Sequence, residues 1–272
     1  MILQLRWFLF LVLCMAVSGL AGLGDVPAPM YDVAEVSTGL EMYAGTGIAF
    51  ENCGGLDLEE LYELDYIDRT HFLSLAVGMG GRIQVYKNAS LEGKAFLAGP
   101  GGGFTVSWKQ VLWRGKGETL ALKPGFTYTT GMKNVHYEWG IDFFLPWVYR
   151  EDLYGQSRVW DLPLIYSIGI QGDSLHSAMT PTLNLNARLG YVQYQVKWAT
   201  KETGRPTITR DLGSHGVLMG SVSGNLRFRL GGVLVTNELG VVFVPQSDNR
   251  KPKSVFALGL SLGVPLDQQL FR

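Results

Sequence analysis

Residues 158–171 read RVWDLPLIYSIGIQ. Trp160, Leu162, Leu164, Tyr166, Ile168 and Ile170 take every second place, with Asp161, Pro163, Ile165, Ser167, Gly169 and Gln171 between them. A period of two puts successive side chains on opposite faces of a β-strand. One face of this strand is therefore apolar, and the other is mostly small or polar and carries a charge. The pattern returns in Leu73, Leu75, Val77 and Met79 against Ser74, Ala76, Gly78 and Gly80. It returns again in Leu258, Leu260, Leu262 and Val264 against Ala257, Gly259, Ser261 and Gly263.

Read through the chain, alternation bounded by Gly, Pro, Asn and Asp predicts about ten strands. They cover 39–50, 71–86, 103–113, 118–130, 134–146, 158–171, 181–198, 217–230, 233–244 and 254–264. Only LDLEELYEL at 56–64 has a helical look. The alternation is interrupted in 103–113 near Val111 and Trp113, and in 181–198 near Tyr191, where a bulge or the end of a membrane crossing is expected.

A soluble sheet hides its apolar face and turns charges to water. Here the second face is rich in glycine and small polar residues and carries isolated charges, as an outward apolar face around a polar interior would require. That is the pattern of a closed, antiparallel, up-and-down transmembrane β-barrel, of about ten strands (between eight and twelve). Closure follows because an open sheet edge in hydrocarbon leaves backbone groups unpaired.

Composition is consistent with this reading. The chain has 272 residues, 23 Lys and Arg against 24 Asp and Glu, and only 17% charged residues. Near-neutrality argues against electrostatic capture of nucleic acid or an anionic surface. Residues 1–21, MILQLRWFLFLVLCMAVSGLA, have one charge (Arg6), an apolar run and small residues before a cut after Ala21, the grammar of an export signal. Once it is removed, Cys53 is the only thiol, so no internal disulfide and no cysteine-based metal site is expected. The expected organisation is a signal peptide at 1–21, an extension at 22–38, one barrel domain at 39–264 and a tail at 265–272.

Connections 51–70, 114–117, 147–157, 199–216 and 245–253 should then lie on one side, and four of them are long. On the other side, 131–133 and Gly231-Gly232 are tight, 172–180 is moderate, and 87–102 is a misfit that could hide a strand near 91–98. Trp113, Trp147, Trp160 and Trp198 fall at the strand ends assigned to the outer side, as an interfacial aromatic girdle would. Signal peptide, alternation, girdle and loop lengths together resemble bacterial outer-membrane β-barrel proteins. The resemblance implies residence in the outer membrane, lipid as a partner, delivery by barrel-assembly machinery and no cofactor.

On these phases the lumen receives Arg82, Lys109, Lys123, His136, Glu138, Asp142, Asp161, Arg188, Arg227, Arg229 and Glu238. The Gly231-Gly232 turn would set Glu238 opposite Asn225 and diagonal to Arg227. Buried ions must pair or stay hydrated, so these charges are expected either to plug a closed barrel or to line a narrow path for small solutes. Catalytic groupings are weak. His176 and Ser177, with Asp173, fall in a predicted turn, and Asp211, Ser214 and His215 fall in a predicted long loop. GPGGG at 99–103 precedes a strand, not a helix, and is no phosphate cradle. The acidic tract 57–68 lacks calcium-loop spacing, and no metal site is expected. The expected function is a non-catalytic outer-membrane barrel, structural or passing small solutes. The alternatives are an outer-membrane enzyme acting on lipid or peptide, and a secreted soluble sandwich or lipocalin-like binder.

Overall fold

A computed structural model of the chain describes residue 34 and residues 39–50, 72–98, 101–142, 145–169, 182–230, 233–244 and 253–265. The strands are β1 (Gly39–Phe50), β2 (Phe72–Tyr86), β3 (Ala89–Ala98), β4 (Gly101–Arg114), β5 (Glu118–Leu122), β6 (Gly125–Asp142), β7 (Leu145–Gly169), β8 (Thr182–Glu202), β9 (Ile208–Leu230), β10 (Val233–Val244) and β11 (Lys253–Pro265). Each pairs antiparallel with a neighbour on both sides. β1 joins β11, β3 joins β4, and β7 pairs with both β5 and β6, so the sheet returns on itself. Lys123 and Pro124 divide β5 from β6, which share one position between β4 and β7. The closed ring has ten positions.

Exposure shows which way the faces point. Trp160, Leu162, Leu164, Leu185, Leu189, Val222, Leu226, Leu239 and Leu260 are all exposed on the outside. The buried set is mostly polar or charged and includes Ser90, Glu92, Lys109, Lys123, Asn184, Asn186, Arg188, Asn225 and Glu238. The arrangement is the inverse of a water-soluble protein, and it removes the soluble sandwich as an architecture for this chain.

Four strands are much longer than the ~9–11 residues that cross a membrane: β6 has 18 residues, β7 has 25, β8 has 21 and β9 has 23. Pairing of β4 with β6 stops at Gly102↔Thr130, while β6 and β7 stay paired up to Asp142↔Leu145. On the far side, β9 leaves β10 at Gly220↔Phe243, yet β8 and β9 run on to Thr200↔Ile208. The upper halves of β6–β9 therefore form a four-stranded wall that rises past the closed ring, at the end away from Gly39 and Pro265. Among the described residues its edge strands have no partner on one side, which hydrocarbon does not tolerate and water does. The closed ring is thus the part suited to a membrane, and the wall stands clear of it.

The expected strand count is met by a different set of strands. A strand, β3, occupies 89–98, inside the misfit connection 87–102. The predicted turn at 131–133 does not exist, because 125–142 is one continuous strand. One strand gained and one turn lost leave ten positions but move 114–117 to the end where β1 begins and β11 finishes. The predicted outer loops 147–157 and 199–216 are largely strand and build the wall. Position 111–113 carries a bulge as expected. Near Tyr191 there is none, for Val192 is buried inside and the register runs unbroken to Val196. The apolar phase changes there because the interior itself acquires an apolar layer, Val159, Val192 and Met219.

The GGG of 101–103 has a packing role at the β3–β4–β6 seam. A Cβ on Gly103 would sit 2.2 Å from the Tyr128 carbonyl oxygen, and one on Gly101 would sit 2.0 Å from that of Thr130. Backbone cannot yield as a side chain can. Gly103→Ala is therefore expected to cost about 1–3 kcal/mol and to lower the yield of compact, heat-modifiable barrel on a gel. Gly93→Ala, where a Cβ meets nothing within 4 Å, should leave that yield unchanged.

Candidate functional site

Two places gather polar chemistry: the filled lumen and the projecting wall. In the lumen, alternation along β3, β4 and β5 turns Ser90, Glu92, Ser107, Lys109 and Ala121 inward. Glu92 receives the Lys109 ammonium at 2.6 Å and that of Lys123 at 3.0 Å, and all three side chains are nearly inaccessible. Arg82 lies directly across from Glu92 on β2. On β7 and β8, Asp161 and Arg188 form a second pair at 2.6 Å.

Nearer the start of β1 and the end of β11, a ladder of neutral groups crosses β7, β8 and β9. Asn184 Nδ2 donates to Asn225 Oδ1 at 2.6 Å, and Ser167 Oγ donates to Asn184 Oδ1 at 2.5 Å. The Ala34 amide donates to Ser167 Oγ at 2.7 Å, and Ala34 packs with Val111, Ala121 and Ile165. A residue that precedes β1 therefore sits within the barrel, toward the end where β1 begins and β11 finishes. Asn184 and Ile165 are 0% exposed, and Lys109 and Asn225 are 1% exposed. These side chains of β4, β7, β8 and β9 are closed off from solvent on the inner side of the sheet.

The predicted lumen residues divide into three groups. Arg82, Lys109, Lys123, Asp161, Arg188, Arg227 and Glu238 lie in the closed ring; of these, Lys109, Lys123, Arg188 and Glu238 are buried. Glu238 pairs with Asn225 and Thr236 with Arg227, which is the register expected from the Gly231-Gly232 turn. Glu138 instead lies exposed on the wall. Positions 136 and 142 are in the same hairpin, and their side chains, like that of Arg229, lie outside the described residues. The bulge between Asn134 and His136 sets Glu138 across from Tyr149, on the face that continues the lumen, but at a height where β6 has left the closed ring. Glu92, the centre of the larger cluster, was not predicted, because 89–98 was not read as a strand.

The tryptophans need a similar correction. Trp160 is in a contiguous outer belt, with Phe126 at 5.5 Å and Tyr191 at 6.0 Å between ring centroids; Phe104 continues it from Phe126 and Tyr128. Trp113 is exposed at the opposite end, near the 115–117 turn. Trp147 and Trp198 belong to the wall, and register sets Trp198 on the face opposite to Trp160. Tyrosine and phenylalanine supply most of the belt, which a search for tryptophan alone passes over.

On the wall, one face carries Tyr149, Glu151 and Glu202. The Tyr149 hydroxyl donates to the Glu151 carboxylate. That bond first, then desolvation and the charges of Glu151, Glu202 and Glu138, raise the phenol above its ordinary pKa of 10.0. The other face has Asp152, buried, taking Arg150 Nε at 2.6 Å with Lys201 Nζ at 3.7 Å. Lys201 also donates to Tyr154 Oη at 3.2 Å.

Of the two weak catalytic groupings, only the second falls among the described residues, and it is not assembled. His176, Ser177 and Asp173 lie outside the described residues, as do the acidic tract 57–68 and residues 1–21, where an export signal is expected. Asp211, Ser214 and His215 are in β9 instead of a loop. Consecutive strand residues alternate between faces, which separates Ser214 from the position of His215. Asp211 is occupied with Gln195 and the Gly213 amide. Among the described residues no group of three His, Cys, Asp or Glu is placed to hold a metal ion.

A closed ring, apolar outside and polar within, decides the class. The architecture is that of an outer-membrane β-barrel. No family model matches the sequence, and no curated protein matches it. Solved structures similar to it include the outer membrane protease OmpT from Escherichia coli, with TM-score 0.45 and 8% identity over 85% of this chain and 99% of that one. The translocator domain of the autotransporter NalP from Neisseria meningitidis gives 0.37 and 10% over 84% and 88%. Neisserial surface protein A gives 0.30 and 13% over 85% and 98%. Overlaps this loose bear on no individual residue.

Proposed function

We propose that this chain is a non-catalytic protein of the bacterial outer membrane, a structural barrel whose lumen is plugged by its own side chains. The observation that carries the reading is the close burial of the described inward side chains, of which Lys109, Ile165, Asn184 and Asn225 are 0–1% exposed. A path for solute needs water along its length, and ten strands enclose little more than the eight whose interior side chains just fill. The buried ions support a plug equally well. Glu92 holds two lysines and Asp161 holds an arginine, so these charges are used on one another and not on a passing ion. The chain thereby presents an inert cylinder to the membrane and a broad wall to the outside, since long extensions belong to the outer end of such barrels.

Planar-bilayer recording tests this reading. Folded protein, verified by heat-modifiable mobility and by its incorporation into vesicles, is expected to give no discrete conductance steps. Regular steps from the unaltered chain would replace the plug by a channel. Hydrolysis of outer-leaflet lipid or of a peptide library by the same preparation would overturn the non-catalytic assignment.

A further inference from the structure

The outer face of the wall is continuous with the lipid-facing belt below it, and its chemistry changes abruptly. Phe126, Trp160 and Tyr191 are neighbours across β6, β7 and β8. Two residues further along β7 is Arg158, exposed, with Tyr128 and Gln193 on either side. Two rows beyond comes Lys197, exposed and across from Tyr154. Arg150 and Lys201 continue the same face, drawn in on Asp152. Asp211 lies across from Lys197 on β9 and takes hydrogen bonds from Gln195 Nε2 at 3.3 Å and the Gly213 amide at 2.9 Å, so the face sets Arg150, Arg158, Lys197 and Lys201 against Asp152 and Asp211, an excess of cations. Gln193 shares the row of Arg158, and Gln156 and Gln195 fill the row between it and Lys197.

We propose that this face, on β7 and β8 just beyond the aromatic belt, binds the phosphate-bearing headgroup of an outer-leaflet lipid, with Arg158 and Lys197 as the contacting cations. The proposal rests on the membrane placement argued above. The order of side chains carries it: apolar residues, then aromatic rings, then cations, along one strand and one face. Aromatic rings settle at the level where hydrocarbon gives way to headgroups. At a rise of about 3.3 Å per residue, Arg158 stands roughly 7 Å along the strand from Trp160. That is the zone in which a lipid phosphate is anchored, and a guanidinium binds its oxygens in a bidentate fork. The glutamine amides between the cations suit ester and sugar hydroxyl groups. A lipid is the occupant, and not a free anion, because the cations flank a surface that already takes acyl chains.

The test uses the refolded full barrel in detergent, with lipid A carrying two phosphates and dephosphorylated lipid A as probes. Native mass spectrometry counts the lipid retained. The unaltered protein is expected to retain the phosphorylated lipid about tenfold more strongly, and Arg158→Ala with Lys197→Ala should abolish that preference, at the order of magnitude for two interfacial cations. Equal retention of both lipids, or an unchanged preference in the double variant, overturns the proposal. Displacement of the lipid by millimolar inorganic phosphate alone would reassign the site to a free anion. Both proteins are also incorporated into phosphatidylcholine vesicles. If they fail to enter, the membrane placement falls and takes this inference with it, whereas normal entry without lipid preference removes the headgroup site alone.

Discussion

Leu164→Arg is expected to destabilise the barrel in lipid vesicles by about 2–4 kcal/mol, the cost of an arginine on the lipid face near mid-membrane. Leu164 is exposed, lies between Trp160 and Ile168, and is flanked by Leu122 and Ala187 on the adjoining strands. Gln156→Arg is the matched control. It is on the same strand and face, eight residues nearer the outer end and exposed, and it should cost about 0–1 kcal/mol as positions near an interface do. Urea unfolding followed by tryptophan fluorescence reads both. The contrast is diagnostic, since in water an arginine at either exposed site would be nearly neutral. Equal small costs would remove Leu164 from the acyl chains and end the membrane reading.

The second large effect lies inside. Glu92→Gln keeps the shape but leaves Lys109 and Lys123 facing each other with the shared carboxylate gone, in a place water does not enter. A buried ion that loses its partner typically costs about 3–5 kcal/mol, so the variant should unfold at much lower urea or fail to refold. Replacing all three residues with apolar ones of similar size (Glu92→Leu, Lys109→Met, Lys123→Met) should recover most of the stability, because the desolvation of the ions disappears together with their attraction. Arg205→Ala marks the other extreme. It removes a solvent-exposed pair with Glu202 at 2.9 Å and is expected to change stability by less than about 1 kcal/mol. A Glu92→Gln protein as stable as the parent would mean that the lumen is wet, and the plug would go with it.

How far these arguments were open to sequence reading differs between elements. The face assignment of 158–171 was legible because eleven alternating residues cannot be fitted to another period, and Leu162 and Leu164 are exposed as that alternation requires. The register of β9 on β10 was legible from the Gly231-Gly232 hairpin, which fixes every pair above it. β3 was hidden because ASLEGKAFLA places Leu91 and Leu97 outward but interrupts them with Gly93 and Ala95, which weakens the period-two signal. The false turn at 131–133 arose from Gly131 and Lys133, residues that also suit a strand about to leave the membrane. The two errors have opposite effects on the strand count, which is why the number of ring positions survived them.

The sequence by itself determined that the chain is a set of two-faced strands, apolar on the side that meets lipid and small or charged on the other, because alternation is a local property of the backbone. Only the tertiary structure decided that Glu92 is the hub of the buried charges, that Ala34 enters the lumen, and that residues once read as loops stand up as a wall of paired strand. Those depend on which strands become neighbours and how far each ladder runs, and that is settled by closure of the ring and by the need of every backbone group in hydrocarbon for a partner.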